Sequence, residues 1–272
     1  MTTMTGDQVL ETVREARAAG QYADLRGANL AGAVLTRADL AYVDLTGATL
    51  YDADLRGATL TYADLTDVNF TDVNFTGVDL TGTWLRGANL TNAALTGANL
   101  AYVDLRGADL RDTNLTGANL RGADLRDTNL RCAHLTNADL TGAHLTNADL
   151  TGAHLTNADL TRAYLTNANL TDTNLRGAYL INANLSAATL RGADLTNAIL
   201  TDARLGRGLL TPQQLLGTRG LRPGGPEPHR DTWDQLLPSN PQQRQLVEHL
   251  LNDGWDGTLR EAIETVEGLA GR

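Results

Sequence analysis

From Leu25 to Leu205 every fifth residue is leucine, with phenylalanine in its place only at Phe70 and Phe75. That gives 37 consecutive positions in register, with no insertion. The residue two before each of them is small or β-branched: 28 Ala, five Val and four Thr. A period of five fits neither the 3.6 of a helix nor the 2 of a strand. A straight helix would smear these leucines around its circumference, and a plain strand would send alternate ones to opposite faces. All 37 are apolar, so all must point one way. A chain that turns a corner every five residues meets that demand. The leucine and the small residue two before it then point inward, and the other three residues point outward.

The corners need tight turns. The second residue after each leucine is mostly Gly, Asn or Asp, the residue types that tolerate left-handed backbone. The residue before the leucine is Asp or Asn in 24 of 37 cases, and those side chains can bond their own backbone. The number of sides follows from a weaker signal. Tyr22, Tyr42, Tyr62 and Tyr102 occupy one position modulo 20, with Gly82 in the gap. Four pentads per coil would stack them in a column. The fold class expected is therefore an all-β solenoid of about nine coils, roughly 43 Å long at ~4.8 Å per coil.

Stretches such as Ala23-Asp24-Leu25-Arg26-Gly27 and Ala118-Asn119-Leu120-Arg121-Gly122 resemble the pentapeptide-repeat family, whose pattern is A(D/N)LXX. The resemblance covers residues 21–207. It implies a right-handed quadrilateral β-helix with four sides per coil, in agreement with the twenty-residue signal.

Solenoid ends expose core and unpaired strand edges and need covers. Residues 6–19 read as an amphipathic helix capping the first coil. Thr5 and Gln8 form its capping box, Val9, Leu10, Val13 and Ala16 or Ala19 its apolar stripe, and Gly20 its stop. After Leu205 the register ends. Thr211-Pro212 starts a short helix over 211–217 that would cap the last coil. Residues 217–230, rich in Gly with Pro223, Pro226 and Pro228, read as a linker. A second helix starts at Asn240-Pro241, with Leu246, Val247, Leu250 and Leu251 apolar. A third runs over about 257–269, with Leu259, Ile263, Val266 and Leu269 apolar. With Trp233 and Trp255 these two would make a helical hairpin. The expected division is thus 1–20, 21–207, 208–230 and 231–272.

Charge and chemistry narrow the function. Acidic residues number 32 against 22 basic ones, all arginine, for a net charge of −10. Such a chain repels nucleic acid and anionic membranes. One cysteine, Cys132, allows no intrachain disulfide and fits a reducing cytoplasm. A regular convex rod offers no concavity with converging groups, and no GxSxG, P-loop, HExxH or CxxC occurs, so no enzyme and no cofactor are expected. His134, His144 and His154 recur in near-identical ten-residue units. Modulo 20 only two of them stack, too few for zinc, so no metal is expected.

Two surface features remain. Tyr22, Tyr42, Tyr62 and Tyr102 lie beside Asp24, Asp44, Asp64 and Asp104, with Trp84 in an aspartate slot. Exposed aromatics next to a carboxylate ladder suit a protein partner as anchors. Residues 21–80 also contain nine Asp and three Arg, whereas the later coils are neutral. The family resemblance implies one function for that charge, because some members mimic B-DNA, bind DNA gyrase or topoisomerase IV, and protect it from quinolones. By that resemblance Asp24, Asp39, Asp44, Asp54, Asp64 and Asp79 would be the mimicking carboxylates, and the C-terminal region would form a homodimer. The alternative is a scaffold or adaptor that binds a protein through a solenoid face or the tail helices.

Overall fold

The computed structural model describes residues 3–205, 214, 218, 241–252 and 258–270. Backbone φ is positive at every fifth residue from Gly27 to Asp202, close to 60° throughout. At each of these corners the amide of the next residue bonds back to the leucine carbonyl, as Ala28 N does to Leu25 O at 3.0 Å. Positive φ at the third residue of such a turn is the requirement of type II geometry. Asn and Asp fill many corners because their short polar side chains tolerate this conformation. Arg37, Cys132, Arg162, Ala187 and three tyrosines take it too.

Between corners the chain pairs in parallel with the coil above it. The bridges join residues twenty apart, Asp24↔Asp44, Asp44↔Asp64 and onward, and the face that begins at Asp24 makes nine successive pairings up to Arg204. Nearly every step is tied twice, as where Leu25 N reaches Asp44 O (2.8 Å) and Asp44 N reaches Ala23 O (3.0 Å). Two short strands form at the far end, β1 (Asn184–Leu185) and β2 (Arg204–Leu205). Four sides per coil, expected from the tyrosine spacing, is what the pairing produces.

The leucines, Phe70, Phe75 and the small residues two before them form one continuous buried cluster. Ala28, Ala203 and Leu205, near the two ends, are half-buried. The four threonines among the small residues are buried with their hydroxyls satisfied. Thr83, Thr113 and Thr173 donate to Leu60 O, Leu90 O and Leu150 O at 2.9, 2.9 and 3.0 Å, and Thr128 donates to Leu125 O at 2.6 Å. A hydroxyl in this core therefore carries no unmet desolvation cost.

At the N-terminal end, α1 (Gly6–Ala18) has the expected capping box between Thr5 and Gln8. It buries Val9 and Val13 in the solenoid cluster and packs Ala16 at its margin. Leu10 departs from the expected stripe and is exposed. It lies one residue past Val9, about 100° around the helix and off the face that meets the coil. The helix is fastened by Met4 N to Asn29 O (2.8 Å) and by a bidentate pair from Arg17 to Asp39 (2.8 and 2.9 Å).

At the other end, the expected helix at 211–217 and the linker after it lie outside the described residues except for Gln214 and Thr218. Gln214 Nε2 donates to Leu190 O and Ala193 O, at 2.8 and 2.9 Å. Beyond them, α2 (Pro241–Asn252) and α3 (Leu259–Ala270) pack on each other, burying Val247, Ala262 and Val266. Leu246, expected in the stripe, is exposed. A second capping box, between Thr258 and Glu261, starts α3. Trp233 and Trp255 lie outside the described residues.

Candidate functional site: an aromatic and carboxylate face

One face and one of its corners gather most of the exposed aromatic surface. The corner column is Tyr22, Tyr42, Tyr62, Gly82 and Tyr102. The face column beside it, set by the bridges, is Asp24, Asp44, Asp64, Trp84, Asp104, Asp124, His144 and Tyr164. Tyr22, Tyr42 and Tyr62 stack with ring centroids 5.5 Å apart at each step. The Tyr62 and Tyr102 rings lie over the corner of the following coil, and at both places that corner is a glycine. A Cβ on Gly82 would stand 2.6 Å from the Tyr62 ring, and one on Gly122 would stand 2.8 Å from Tyr102. Both glycines thus combine a left-handed corner with room for the ring above it. Trp84 is 52% exposed, Tyr22 73% and Tyr102 71%.

Between the two columns runs an open groove of about 610 Å³, lined by Tyr22, Tyr42, Tyr62, Trp84 and the three aspartates Asp24, Asp44 and Asp64. A regular rod is expected to be convex. The groove exists because tall aromatic side chains wall one edge of a face whose aspartates are short.

The aspartates do two jobs. Their Oδ1 accepts the amide two residues on, as Asp44 and Asp64 do from Thr46 N and Thr66 N at 3.0 Å. That bond clamps the start of each turn. Many are also paired with arginine. Arg26 grips Asp24 bidentately at 2.9 and 2.6 Å and reaches Asp44 at 3.6 Å. Arg106 holds Asp104 at 2.8 and 2.5 Å, with Arg86 on the same carboxylate at 3.2 Å. Arg126 holds Asp124. Hydrogen bonds from Arg26 lower the pKa of Asp24 to about 2, and those from Arg106 do the same for Asp104. Among the described residues Asp64 has no ion partner.

Asp104 is the least exposed of the arginine-paired carboxylates on this face. Its folded-state pKa lies below the ~3.9 of an unfolded chain, so its pairing stabilises the rod above pH ~4 and the contribution fades as pH falls toward 2. Asp104→Asn should cost about 1–2 kcal/mol at pH 7. Urea midpoints of wild type and variant should converge between pH 4 and 2, and an unchanged gap at pH 2 would contradict this role.

Not every candidate residue converges. Asp24, Asp44, Asp64, Asp104, Trp84 and the four tyrosines share this face and its corner. Asp54 lies on the opposite face, paired with Arg56, its pKa lowered to about 2 by that bond. Asp39 and Asp79 lie beyond the tyrosine corner on the neighbouring face, and Asp39 is occupied by Arg17. The six aspartates expected to act together are therefore split over three faces. The stacked pair His144–Tyr164, with centroids 4.6 Å apart, extends the aromatic face toward the C-terminal end. Counting modulo 20 from Asp24 would have found it. His134 and His154 stack at 5.0 Å on the opposite face. Among the described residues no cluster of His, Cys, Asp or Glu could hold a metal, and no helix is long and apolar enough to cross a membrane.

The repeat has relatives among known proteins. No curated protein matches the sequence. A solved pentapeptide repeat protein from the cyanobacterium Nostoc sp. strain PCC 7120, HetL, involved in regulating heterocyst differentiation, is 34% identical over 82% of this chain and 99% of its own, with a TM-score of 0.45. A pentapeptide repeat protein of the Arabidopsis thaliana thylakoid lumen is 34% identical over 47% of this chain and 88% of its own, at a TM-score of 0.40. The plasmid-mediated fluoroquinolone resistance protein QnrB1 is 18% identical over 76% and 94%, at 0.31. The family model for pentapeptide repeats matches eight times, in overlapping segments from residues 21–57 to 168–207. The chain belongs to the pentapeptide-repeat family, whose members fold as right-handed quadrilateral β-helices.

Proposed function

We propose that the protein is a non-catalytic rod that binds a protein partner through the tyrosine corner and the face that carries Trp84. The observation behind this reading is the groove walled by Tyr22, Tyr42, Tyr62 and Trp84. Large rigid aromatic rings that stand exposed in a contiguous patch are the side chains best suited to anchor an interface. The rod contributes stiffness, so those anchors are held in fixed positions and lose little freedom on binding.

A photo-crosslinking amino acid at position 42 should give a discrete adduct in cells, and one at Asn114 on the opposite face should not. Deleting residues 76–80 removes one whole pentad. It keeps every other pentad in frame but turns Trp84 onto a different face from Asp64. The adduct from position 42 should then disappear while the circular dichroism of the rod persists. Adducts only from a crosslinker at Leu246 would favour an adaptor that works through α2 and α3.

A second reading, mimicry of DNA toward a type II topoisomerase such as gyrase, draws on the charge of the first three coils. Asp52, Asp64, Asp67, Asp72 and Asp79 have no ion partner among the described residues. Against it, Asp24, Asp39, Asp44 and Asp54 are tied to arginines, which cancels much of the field a phosphate ladder would present. A supercoiling assay with gyrase, with and without a fluoroquinolone, tests it. Salt-sensitive inhibition or drug protection that is lost on changing Asp52, Asp64, Asp67, Asp72 and Asp79 to Asn would support mimicry.

A further inference from the structure

The groove has a chemical bias. Three carboxylates, Asp24, Asp44 and Asp64, face it. Among the described residues the cation that meets them is Arg26, which is spent on the first two. Among the described residues Asp64 accepts only the amide of Thr66, through Oδ1. The next residue in its column is Trp84, bridged directly to it. The ring of Tyr62 lies over Gly82 and lines the same groove as Trp84. An exposed indole, a phenol and an uncompensated carboxylate therefore converge at one end of a groove that carries surplus negative charge. Indole is the best cation–π platform among side chains. An anionic ligand would meet repulsion from the carboxylates, and a neutral one would leave Asp64 without a partner.

The groove's shape adds to this. Its lining spans four successive coils, from Tyr22 to Trp84, and so extends roughly 14 Å along the rod at ~4.8 Å per coil. An extended chain of four to five residues covers that length at ~3.3 Å per residue. Resting on the reading of this face as the binding surface, we propose that the groove takes an extended, arginine- or lysine-bearing segment of a partner protein. One cationic side chain lies on the Trp84 indole, with the Asp64 carboxylate as its counter-ion.

The test uses the full chain with Trp233→Phe and Trp255→Phe, so that Trp84 is the sole indole. Three capped hexapeptides are titrated while its fluorescence is followed: alternating Arg-Gly, alternating Glu-Gly and alternating Ser-Gly. Cellohexaose serves as an uncharged sugar probe. The Arg-Gly peptide should change the emission saturably, and the other three should not. Asp64→Asn keeps the oxygen that accepts from Thr66 and removes only the charge, so it should weaken Arg-Gly binding about 5–10-fold while the rod stays folded. Raising the salt from 50 to 500 mM should weaken it as well.

Equal binding of the Glu-Gly, Ser-Gly or sugar probe, or no effect of Asp64→Asn, would overturn the cationic assignment while leaving the face as a binding surface. Binding of no probe, together with adducts from position 42, would likewise overturn the assignment alone. Binding of no probe and no adducts from position 42 would remove both.

Discussion

Deleting the single residue Asn119 should damage this protein far more than deleting all five residues 116–120. A pentad is the smallest unit that returns the chain to the same inward and outward pattern. Removing Thr116 to Leu120 joins Leu115 to Arg121 and leaves every remaining leucine inside and every remaining corner at a residue that already accepts left-handed backbone. The rod loses about one part in 37 of its core. Removing Asn119 alone forces a choice. Either Leu120 turns outward and the pattern behind it slips, or one side is closed with four residues where five are needed. The first course exposes leucines worth roughly 1.5–3 kcal/mol each. The second breaks a turn and the pairing on both sides of it, among them Asn119 N to Ala98 O and Leu120 N to Asp139 O. Urea denaturation followed by circular dichroism should show the five-residue deletion close to wild type. The one-residue deletion should unfold at much lower denaturant, or in two steps as the array splits into halves. Similar midpoints for the two deletions would mean that the five-residue unit does not govern the fold.

Phe70→Ala should be the most costly single substitution in the core. Phe70 and Phe75 occupy leucine slots on adjacent sides of the coil, fully buried, with rings 4.9 Å apart in an edge arrangement. The coil's walls are built of backbone hydrogen bonds repeated above and below, so it has little freedom to collapse onto a void. The expected loss is about 3–5 kcal/mol, typical of a buried phenylalanine cut to alanine. Phe70→Leu should cost less than about 1.5 kcal/mol, because leucine fills that slot in the neighbouring coils. The two variants, compared by denaturant midpoint at fixed slope, separate cavity from chemistry. A loss under about 1 kcal/mol for Phe70→Ala would show that the coil can close around the gap.

The sequence made the solenoid plain because one period controlled everything inside it. Leucine at every fifth position specified the core, and the tyrosines at one position modulo 20 specified four sides. The columns followed by counting, including the Tyr–Asp face and Trp84 in its aspartate slot. What counting did not reveal was how neighbouring side chains would use one another. Asp24 and Arg26 are two apart in the chain and project from the same side, so the charge read along the sequence is partly cancelled on the surface. The direction in which Tyr62 leans, and hence the groove, depends on ring packing over Gly82, which a count of positions does not contain. Leu10 and Leu246 stand outside the expected stripes for a related reason. A helix has no five-residue metronome, and a single apolar residue beside a stripe can fall on either side of its boundary.

The core has a further consequence, because it cannot distinguish one side of the square from another. Residues 66–70 and 71–75 are the same five letters, and the ten-residue block at 133–142 is repeated at 143–152. Copying ten residues leaves the interior untouched but rotates everything downstream by half a revolution, which is how His134 and His144 come to look in opposite directions. Copying twenty lengthens every column without turning it. A gene for such a rod can therefore re-deal its surface by slippage alone, like the rings of a combination lock turning on a common spindle.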